Sequence, residues 1–388
     1  MRPCNCFLKL CKSLRLLIVM LTNRASDAVM SLRKGGQCED SFSTPYCKES
    51  RCNVNDYNKG RLLITIDMTT KKCYLSVVSV KVTTKPEKNT PQRRKTMFLN
   101  RKDNQKTVQE TLTDKAAKVR ALLRDADAVL IGAGAGLSTA AGIEYSGPRF
   151  TENFSDFIAR YGMTDMYSSS FYPFETEEEK WAYWSRHIRM NRYDAPVGEP
   201  YKQLLELVKE KPYFVITTNV DAQFYKAGFD PLRIWAVQGD YGKLQCARGC
   251  HDTLYDNRDL ILEMSEKQKD CRIPAELVPH CPRCGEPMEI NIRKDEYFVQ
   301  DEQWYAERGR YMDFLEENKR KKVVFLELGV GFNTPTIIRF PFEQMAANWP
   351  RATLVRIGRS RADVPSRLKD KGISLDGGIR PALDAICK

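Results

Sequence analysis

Short apolar runs alternate with longer helix-like segments from about residue 107 to the C-terminus. Each run has four to six residues, the length of a strand that is buried on both faces of a sheet. Helix-like segments lie at 107–124, 200–209 and 301–318. The alternation predicts an α/β fold with a doubly wound parallel sheet. The predicted strands are 128–131, 213–217, 234–237, 323–328 and 352–357.

A stretch rich in aromatic residues, 151–193, interrupts this alternation and shows no strand pattern. We therefore predict a helical insertion at about 145–195, placed after the first strand and its helix. The aromatic side chains are expected to form the core of this insertion rather than a stacking platform for a ligand.

The charges are unevenly distributed along the 388 residues. Residues 1–106 hold 22 Lys or Arg against 8 Asp or Glu, and the remainder is close to neutral, with 40 against 42. We predict a basic, largely disordered N-terminal extension at 1–106 and a catalytic domain at 107–388. Because the catalytic domain has no basic excess, we expect it to bind no nucleic acid.

The extension begins with a few basic residues followed by the apolar run 16–21. That run is too short to span a bilayer, so no transmembrane segment is expected. The chain has 13 cysteines, an odd number that favours a reducing intracellular compartment over a disulfide framework. The compartment is then the cytoplasm, or the mitochondrion if the N-terminus is a presequence.

A glycine-rich stretch, 131–143, follows the first predicted strand and begins a helix. Gly132, Gly134 and Gly136 permit a tight turn, and Ser138 and Thr139 are expected to cap the helix. The free N–H groups and the helix dipole would then bind a pyrophosphate. The alternative is that the glycines only let helix and sheet pack closely. The spacing does not fit the dehydrogenase fingerprint, because its third glycine is absent.

Polar residues follow two later strands. Asn219 and Asp221 come directly after the strand at 213–217, at the carboxyl edge where such sheets bind ligands. The alternative is that they close a turn and cap a short helix. Gln238 and Gly239 follow the strand at 234–237 in the same way.

Four cysteines have the spacing of metal ligands. Cys246 and Cys250 are separated by three residues, Cys281 and Cys284 by two, and 30 residues lie between the pairs. Two such pairs predict one tetrahedral Zn²⁺ site with four thiolate ligands. Because protein fills all four positions, the zinc is expected to be structural rather than catalytic.

Together these motifs resemble those of the sirtuins, the NAD-dependent protein deacylases and ADP-ribosyltransferases. The matches occur in the family's order and extend from about Ala116 to the C-terminus. The resemblance implies a Rossmann-like NAD domain and a small domain, made of the helical insertion and a zinc-ribbon module at about 240–300. A reaction cleft would lie between the two. The matching segments are 134–143, 217–221, Gly239, the paired cysteines and 329–335.

Departures from the family pattern point to a particular activity. Deacylating sirtuins carry a histidine, the base that acts on the NAD ribose, where this chain has Gln238. An amide cannot accept a proton at neutral pH. Thr218 stands where glutamine is usual, and Arg149 is the counterpart of the arginine in the family's Pro-Asp-Phe-Arg.

This combination is similar to the macrodomain-linked microbial (class M) sirtuins, which are associated with ADP-ribosylation of a lipoyl-carrier protein. We therefore predict a transferase that cleaves nicotinamide from NAD and transfers ADP-ribose to a protein acceptor, possible acceptors including a lipoyl-carrier protein. NAD-dependent protein lysine deacylation is the alternative, which the fold favours and Gln238 opposes.

The resemblance also assigns candidate site residues. Asn219, Asp221 and Gln238 are the predicted reaction centre. Asn219 and Asp221 can stabilise an oxocarbenium-like ribose without a base. For Gln238 the alternative is that it only fills the space of the missing histidine and hydrogen-bonds to the ribose. The predicted NAD contacts are Gly132, Ala133, Gly134, Ser138, Thr139, Arg149, Asn219, Asp221, Gln238, Gly329, Asn333 and Thr334.

Overall fold

The computed structural model describes residues 110–359 and 362–388, together with two short strands nearer the N-terminus. The chain divides into two compact units, Met1–Asp103 and Asn104–Lys388. In the first unit Cys52–Asn53 pairs antiparallel with Leu63–Ile64. The disorder predicted for residues 1–106 otherwise falls outside the described residues.

A six-stranded parallel sheet forms the centre of the second unit. The first strand lies in the middle of the sheet, and the chain winds outward from it in both directions. This is the strand order of the Rossmann fold, so the predicted fold class is confirmed. From one edge to the other, the strands are β9 (Gly372–Asp376), β8 (Ala352–Gly358), β7 (Val323–Leu328), β1 (Ala128–Ala133), β2 (Tyr213–Thr217) and β3 (Ile234–Ala236).

Helices cover both faces of the sheet, because successive side chains of a strand point to opposite sides. Val129 and Ile131 pack with one set of helices, and Ala128 and Leu130 with another. The first set is α1 (Leu112–Asp125), α2 (Ala135–Ala140), α7 (Glu199–Val208), α8 (Gln223–Lys226) and α12 (Ile379–Ile386), and the second is α10 (Glu302–Asn318) and α11 (Arg339–Asn348).

The aromatic-rich stretch is helical and has its own core. Phe150, Phe154, Phe157 and Trp181 are completely buried in it, as expected for core residues rather than for a ligand platform. A π-helical turn, Arg189–Tyr193, ends this insertion. Its helices are α3 (Pro148–Asn153), α4 (Ser155–Tyr161), α5 (Met166–Ser169) and α6 (Glu177–Ile188).

A small antiparallel sheet packs against the helical insertion and shares its core. Its central strand begins at Gly239, shortly after the edge strand of the large sheet. This strand therefore connects the large sheet to the small one. Helix α9 (Arg258–Lys267) lies in the long connection that precedes the last strand. The strands are β5 (Tyr255–Asp256), β4 (Gly239–Cys246) and β6 (Met288–Ile292).

A network of buried charges lies beneath the carboxyl end of β7 and β8. The Arg356 guanidinium donates to both carboxylate oxygens of Glu327, each at 2.8 Å, and to Glu343 at 2.9 Å. Another N–H of the Arg356 guanidinium donates to the backbone carbonyl of Asp363, at 2.7 Å. Since all three side chains are almost completely buried, the network fixes the loop after β8 against β7.

In the described part of the chain, none of the helices combines the length and the apolar character needed to cross a bilayer.

Candidate active site

The glycine-rich turn after β1 packs directly against the loop after β7. A Cβ atom at Gly134 would lie 2.8 Å from the carbonyl oxygen of Gly329, and one at Gly136 would lie 2.7 Å from its Cα. Gly329 itself has φ +62°, and a Cβ there would lie 2.6 Å from Gly136. Only glycine permits this approach, so the tight packing that we considered as an alternative does occur.

Two of the N–H groups expected to bind an anion are already used. Gly134 N–H donates to the Leu328 carbonyl and Gly136 N–H to the Gly329 carbonyl, both at 3.0 Å. The predicted helix caps are also wrong: α2 begins after Gly134, and no side chain caps it. Thr139 Oγ1 instead lies 3.2 Å from the Ala135 carbonyl. The turn therefore has fewer free N–H groups for an anion than the sequence predicted.

Asn219 is held in one orientation. Its Nδ2 donates to the carbonyl of Gly134 at 3.0 Å and to the hydroxyl of Tyr201 at 3.3 Å. Among the described residues, its Oδ1 has no hydrogen-bond partner. The amide therefore offers an acceptor oxygen beside the glycine-rich turn. Tyr201, which we did not single out from the sequence, is completely buried.

Asp221 is buried behind Asn219. Its carboxylate accepts from Ser138 Oγ at 2.5 Å and from the N–H of Gln223 at 3.1 Å. Burial raises the pKa of Asp221, and these two hydrogen bonds oppose the rise. Ser138 thus orients this carboxylate instead of capping a helix. The Ser138 hydroxyl also lies 3.3 Å from Tyr201, which joins α2, α7 and the loop after β2.

Gln238 lies between the large sheet and the small one. Its backbone carbonyl accepts from the N–H of Arg293 at 3.0 Å, which fixes the main chain. Its side-chain Oε1 is buried and, within the described residues, has no hydrogen-bond partner. A buried oxygen without a donor is costly, and a ligand hydroxyl would relieve that cost. Gln238 therefore provides a second acceptor oxygen in this region.

Three other residues predicted to contact NAD differ in whether the protein already holds their side chains. Three donors of the Arg149 guanidinium contact the carbonyls of Glu144 and Met190 and Asn191 Oδ1, at 2.7 to 3.0 Å. This arginine is therefore tied to the helical insertion. Asn333 is exposed, and Thr334 is half-buried, both in the loop that begins at Gly329. Their contact with NAD stays a prediction.

A chain of hydrogen bonds runs behind the site from the helical insertion to β4. Tyr183 donates its hydroxyl to the carbonyl of Met166 at 2.7 Å and lies 3.2 Å from His187 Nδ1. His187 Nε2 lies 3.1 Å from the Tyr241 hydroxyl, which lies 3.0 Å from that of Tyr145. Because the Tyr183 proton goes to a carbonyl, His187 carries its proton on Nδ1 and accepts from Tyr241.

This series of hydrogen bonds gives a structural role to His187, a residue to which the sequence alone assigned none. Burial lowers the pKa of His187 to about 3, so the ring is neutral at physiological pH. Tyr241 is bonded through its N–H to the carbonyl of Val220, at 3.0 Å, between Asn219 and Asp221. His187 therefore supports the loop after β2 that carries Asn219 and Asp221.

A buried carboxyl group, Glu307 of α10, supports the strand that leads to Gln238. It accepts from Gln303 Nε2 at 3.0 Å and from the N–H of Ala236. Burial raises the pKa of Glu307 from 4.5 to about 7, and the hydrogen bonds only partly oppose this. In the folded protein the group therefore stays protonated over a range in which the unfolded chain has ionised.

The raised pKa predicts a loss of stability between about pH 4.5 and pH 7. Across that range the unfolded state releases the proton and the folded state keeps it. Relative to Glu307→Gln, the wild type should lose up to about 3 kcal/mol of unfolding free energy by pH 8. Urea unfolding of both proteins from pH 4 to 8 measures the difference. A constant difference at every pH would contradict the raised pKa.

The four cysteines predicted as metal ligands are brought together at one end of the small sheet. Their sulfur atoms lie within 4.8 Å of one another, with Cys246 to Cys284 at 3.6 Å and Cys250 to Cys281 at 3.7 Å. Ligands of a tetrahedral Zn²⁺ at about 2.3 Å would lie about 3.8 Å apart. The cluster therefore fits zinc. Cys271 is not part of the cluster and is buried in the core that the insertion shares with the small sheet.

Oxygen atoms dominate the predicted reaction centre. The Oδ1 of Asn219, the Oε1 of Gln238 and the carboxylate of Asp221 are acceptors, and the three histidines of the chain lie elsewhere. A site lined by acceptor oxygens favours hydroxyl donors and developing positive charge, and it offers no neutral base near pH 7. Fold and site together define a nucleotide-binding α/β protein with a cysteine-rich small domain.

The comparisons with known proteins agree with this class. The model of the Sir2 family matches residues 134–320. The "Protein ADP-ribosyltransferase" of Staphylococcus aureus is 40% identical over 268 residues, which cover 69% of this chain and 85% of that protein. The chain therefore belongs to the Sir2 family, and it is an NAD-dependent enzyme of the sirtuin type.

Two further similarities are more limited. A "Probable bifunctional ADP-ribose hydrolase/ADP-ribosyltransferase" of Fusarium oxysporum is 32% identical over 285 residues, covering 69% of this chain and 46% of that protein. A solved structure described as "Structural Basis for the Mechanism and Regulation of Sir2 Enzymes" is 17% identical. The match covers 71% of this chain and 96% of the chain in the solved structure, with a TM-score of 0.43.

Proposed function

We propose that this protein is a protein ADP-ribosyltransferase that uses NAD as its substrate. The observation that carries the proposal is Gln238, a half-buried amide whose oxygen is buried and, within the described residues, unpartnered, where deacylating sirtuins have their base. The name of the Staphylococcus aureus relative, to which the chain is 40% identical, supports the same activity.

In the proposed reaction the bond between ribose C1′ and the nicotinamide nitrogen breaks, and its electron pair leaves with neutral nicotinamide. The acceptor's nucleophile forms the new bond to C1′ and releases its proton to solvent. Asn219 and Gln238 would accept hydrogen bonds from the ribose hydroxyls. Asp221 would stabilise the positive charge that develops on the ribose, from its position between Ser138 and Gln223.

Deacylation requires an additional step that these residues do not support. A base must take a proton from a ribose hydroxyl so that the acyl intermediate can rearrange. Gln238 cannot do this. The neutral ring of His187 cannot replace it, because both of its nitrogens are already hydrogen-bonded to tyrosines.

Installing the missing base tests this argument. Gln238→His should give measurable turnover of an acetyl-lysine peptide with NAD, whereas the wild type and the control Gln238→Ala should give none. Mass spectrometry of the peptide and of O-acetyl-ADP-ribose measures the outcome. Efficient deacetylation by the wild type would contradict the proposal.

We also propose the partners of the reaction. The acceptor is a protein, and the similarity to macrodomain-linked sirtuins suggests one that carries a lipoyl group. One Zn²⁺ bound by Cys246, Cys250, Cys281 and Cys284 would hold the small domain together. With four thiolate ligands it would activate no water.

A further inference from the structure

The cysteine cluster has an outer layer of hydrogen bonds. Two histidines flank the cysteines: His251 follows Cys250, and His280 precedes Cys281.

The sulfur of Cys250 is approached by a side chain. His251 Nδ1 lies 3.0 Å from Cys250 Sγ and 3.9 Å from Cys281 Sγ. Cys250 ends the longer of the two cysteine loops, with three intervening residues instead of two. His251 is therefore placed where it can supply a donor to the thiolate of that longer loop.

A tyrosine contacts the other ring nitrogen of His251. The hydroxyl of Tyr255 lies 2.9 Å from His251 Nε2, and the two rings meet edge to face at 5.8 Å. A phenol that donates to Nε2 leaves Nδ1 as the donor that faces the sulfur. Tyr255 is held in β5, which pairs through this residue with Leu244 of β4, the strand that ends at Cys246.

The distance also separates a hydrogen bond from a metal bond. A nitrogen and a sulfur that both bind one tetrahedral Zn²⁺ would lie about 3.5 Å apart, given bond lengths of about 2.0 and 2.3 Å. The observed 3.0 Å between His251 Nδ1 and Cys250 Sγ is shorter. Four sulfur atoms already complete the ligand set. The geometry therefore suits a donor to the thiolate, not a fifth ligand.

We propose that Tyr255 and His251 form an outer-shell relay that retains the metal by donating a hydrogen bond to the Cys250 thiolate. Partners of this kind orient ligands and typically change metal affinity by about 10- to 100-fold when they are removed. The proposal concerns metal retention and is independent of the reaction that the enzyme catalyses.

Zinc release from the full-length protein tests the relay. The zinc-loaded protein is mixed with excess chromogenic chelator, and the rate of metal release is followed. His251→Ala should release zinc about 10-fold faster or more, and Tyr255→Phe should accelerate release less. The matched control is His280→Ala, because His280 flanks Cys281 but its Nδ1 contacts the Gly285 carbonyl, at 3.1 Å. That variant should match the wild type.

Cobalt spectra distinguish the relay from direct ligation. With Co²⁺ in place of zinc, His251→Ala should keep the absorption of a four-thiolate site. A shift that indicates the loss of a nitrogen ligand would overturn the proposal, as would release rates equal to the wild type. Equal acceleration by His280→Ala, or a purified protein without zinc, would also overturn it. If His251→Ala does not fold, Tyr255→Phe and His251→Gln provide the same comparison.

Discussion

Replacing Asn219 with alanine should slow nicotinamide release from NAD by about 10²- to 10³-fold, the cost of losing one preorganised group that stabilises a transition state. The Asn219 amide is fixed by the Gly134 carbonyl and the Tyr201 hydroxyl, which leaves its Oδ1 to accept from the substrate. The loss should fall mainly on kcat, because the contact matters most as the glycosidic bond breaks. Quantifying nicotinamide by chromatography at saturating NAD measures the effect.

A change to a residue that anchors Asn219 provides the control. Tyr201→Phe removes one of the two anchors of Asn219 and leaves the Gly134 carbonyl in place. We expect it to lose less activity than Asn219→Ala while lowering the melting temperature more, because Tyr201 is completely buried. Wild-type rates of nicotinamide release in Asn219→Ala would show that the reaction centre lies elsewhere.

Gly239→Ala should have the largest effect on stability. Gly239 has φ +97°, and an added Cβ would lie 2.0 Å from the carbonyl oxygen of Asn291. The backbone strain alone costs about 1–3 kcal/mol, and the neighbouring backbone must also move. We expect the free energy of unfolding to fall by more than about 3 kcal/mol. Activity should be lost as well, because Gln238 precedes this glycine.

Gly309→Ala is the matched control for this substitution. Gly309 lies on the exposed face of α10, and a Cβ there would meet no atom within 4 Å. Alanine favours a helix by about 1 kcal/mol over glycine, so this variant should be slightly more stable than the wild type. Denaturant unfolding compares the two. Equal stabilities of Gly239→Ala and Gly309→Ala would disprove the close approach of β4 and β6.

Local pattern predicted the large sheet well. The strands at Tyr213–Thr217 and Val323–Leu328 have the predicted bounds, because a strand buried on both faces is a continuous apolar run. The last strand and helix, Gly372–Asp376 and Ile379–Ile386, were missed. Most of that strand is only half-buried at the sheet edge, so it lacks the apolar signal.

The chemistry of the site was predicted less completely. Residue types and spacing identified Asn219, Asp221 and the four cysteines as candidates, and the resemblance to the sirtuins added Gln238. The pairing of Ser138 with Asp221 joins residues 83 positions apart, and no local pattern indicates it. The same holds for His187 and Tyr241, which are 54 positions apart. The first contact depends on how α2 packs beside the loop after β2, and the second on how the helical insertion packs against the small sheet.

One assay tests the central claim, that the site transfers ADP-ribose to a protein without the base needed for deacylation. The purified enzyme and NAD are offered a lipoylated carrier protein, the same carrier without its lipoyl group and an acetyl-lysine peptide, and all products are identified by mass spectrometry. We predict that the lipoylated carrier gains one ADP-ribose and the peptide is unchanged. A deacetylated peptide with O-acetyl-ADP-ribose, and no modified carrier, would contradict the account.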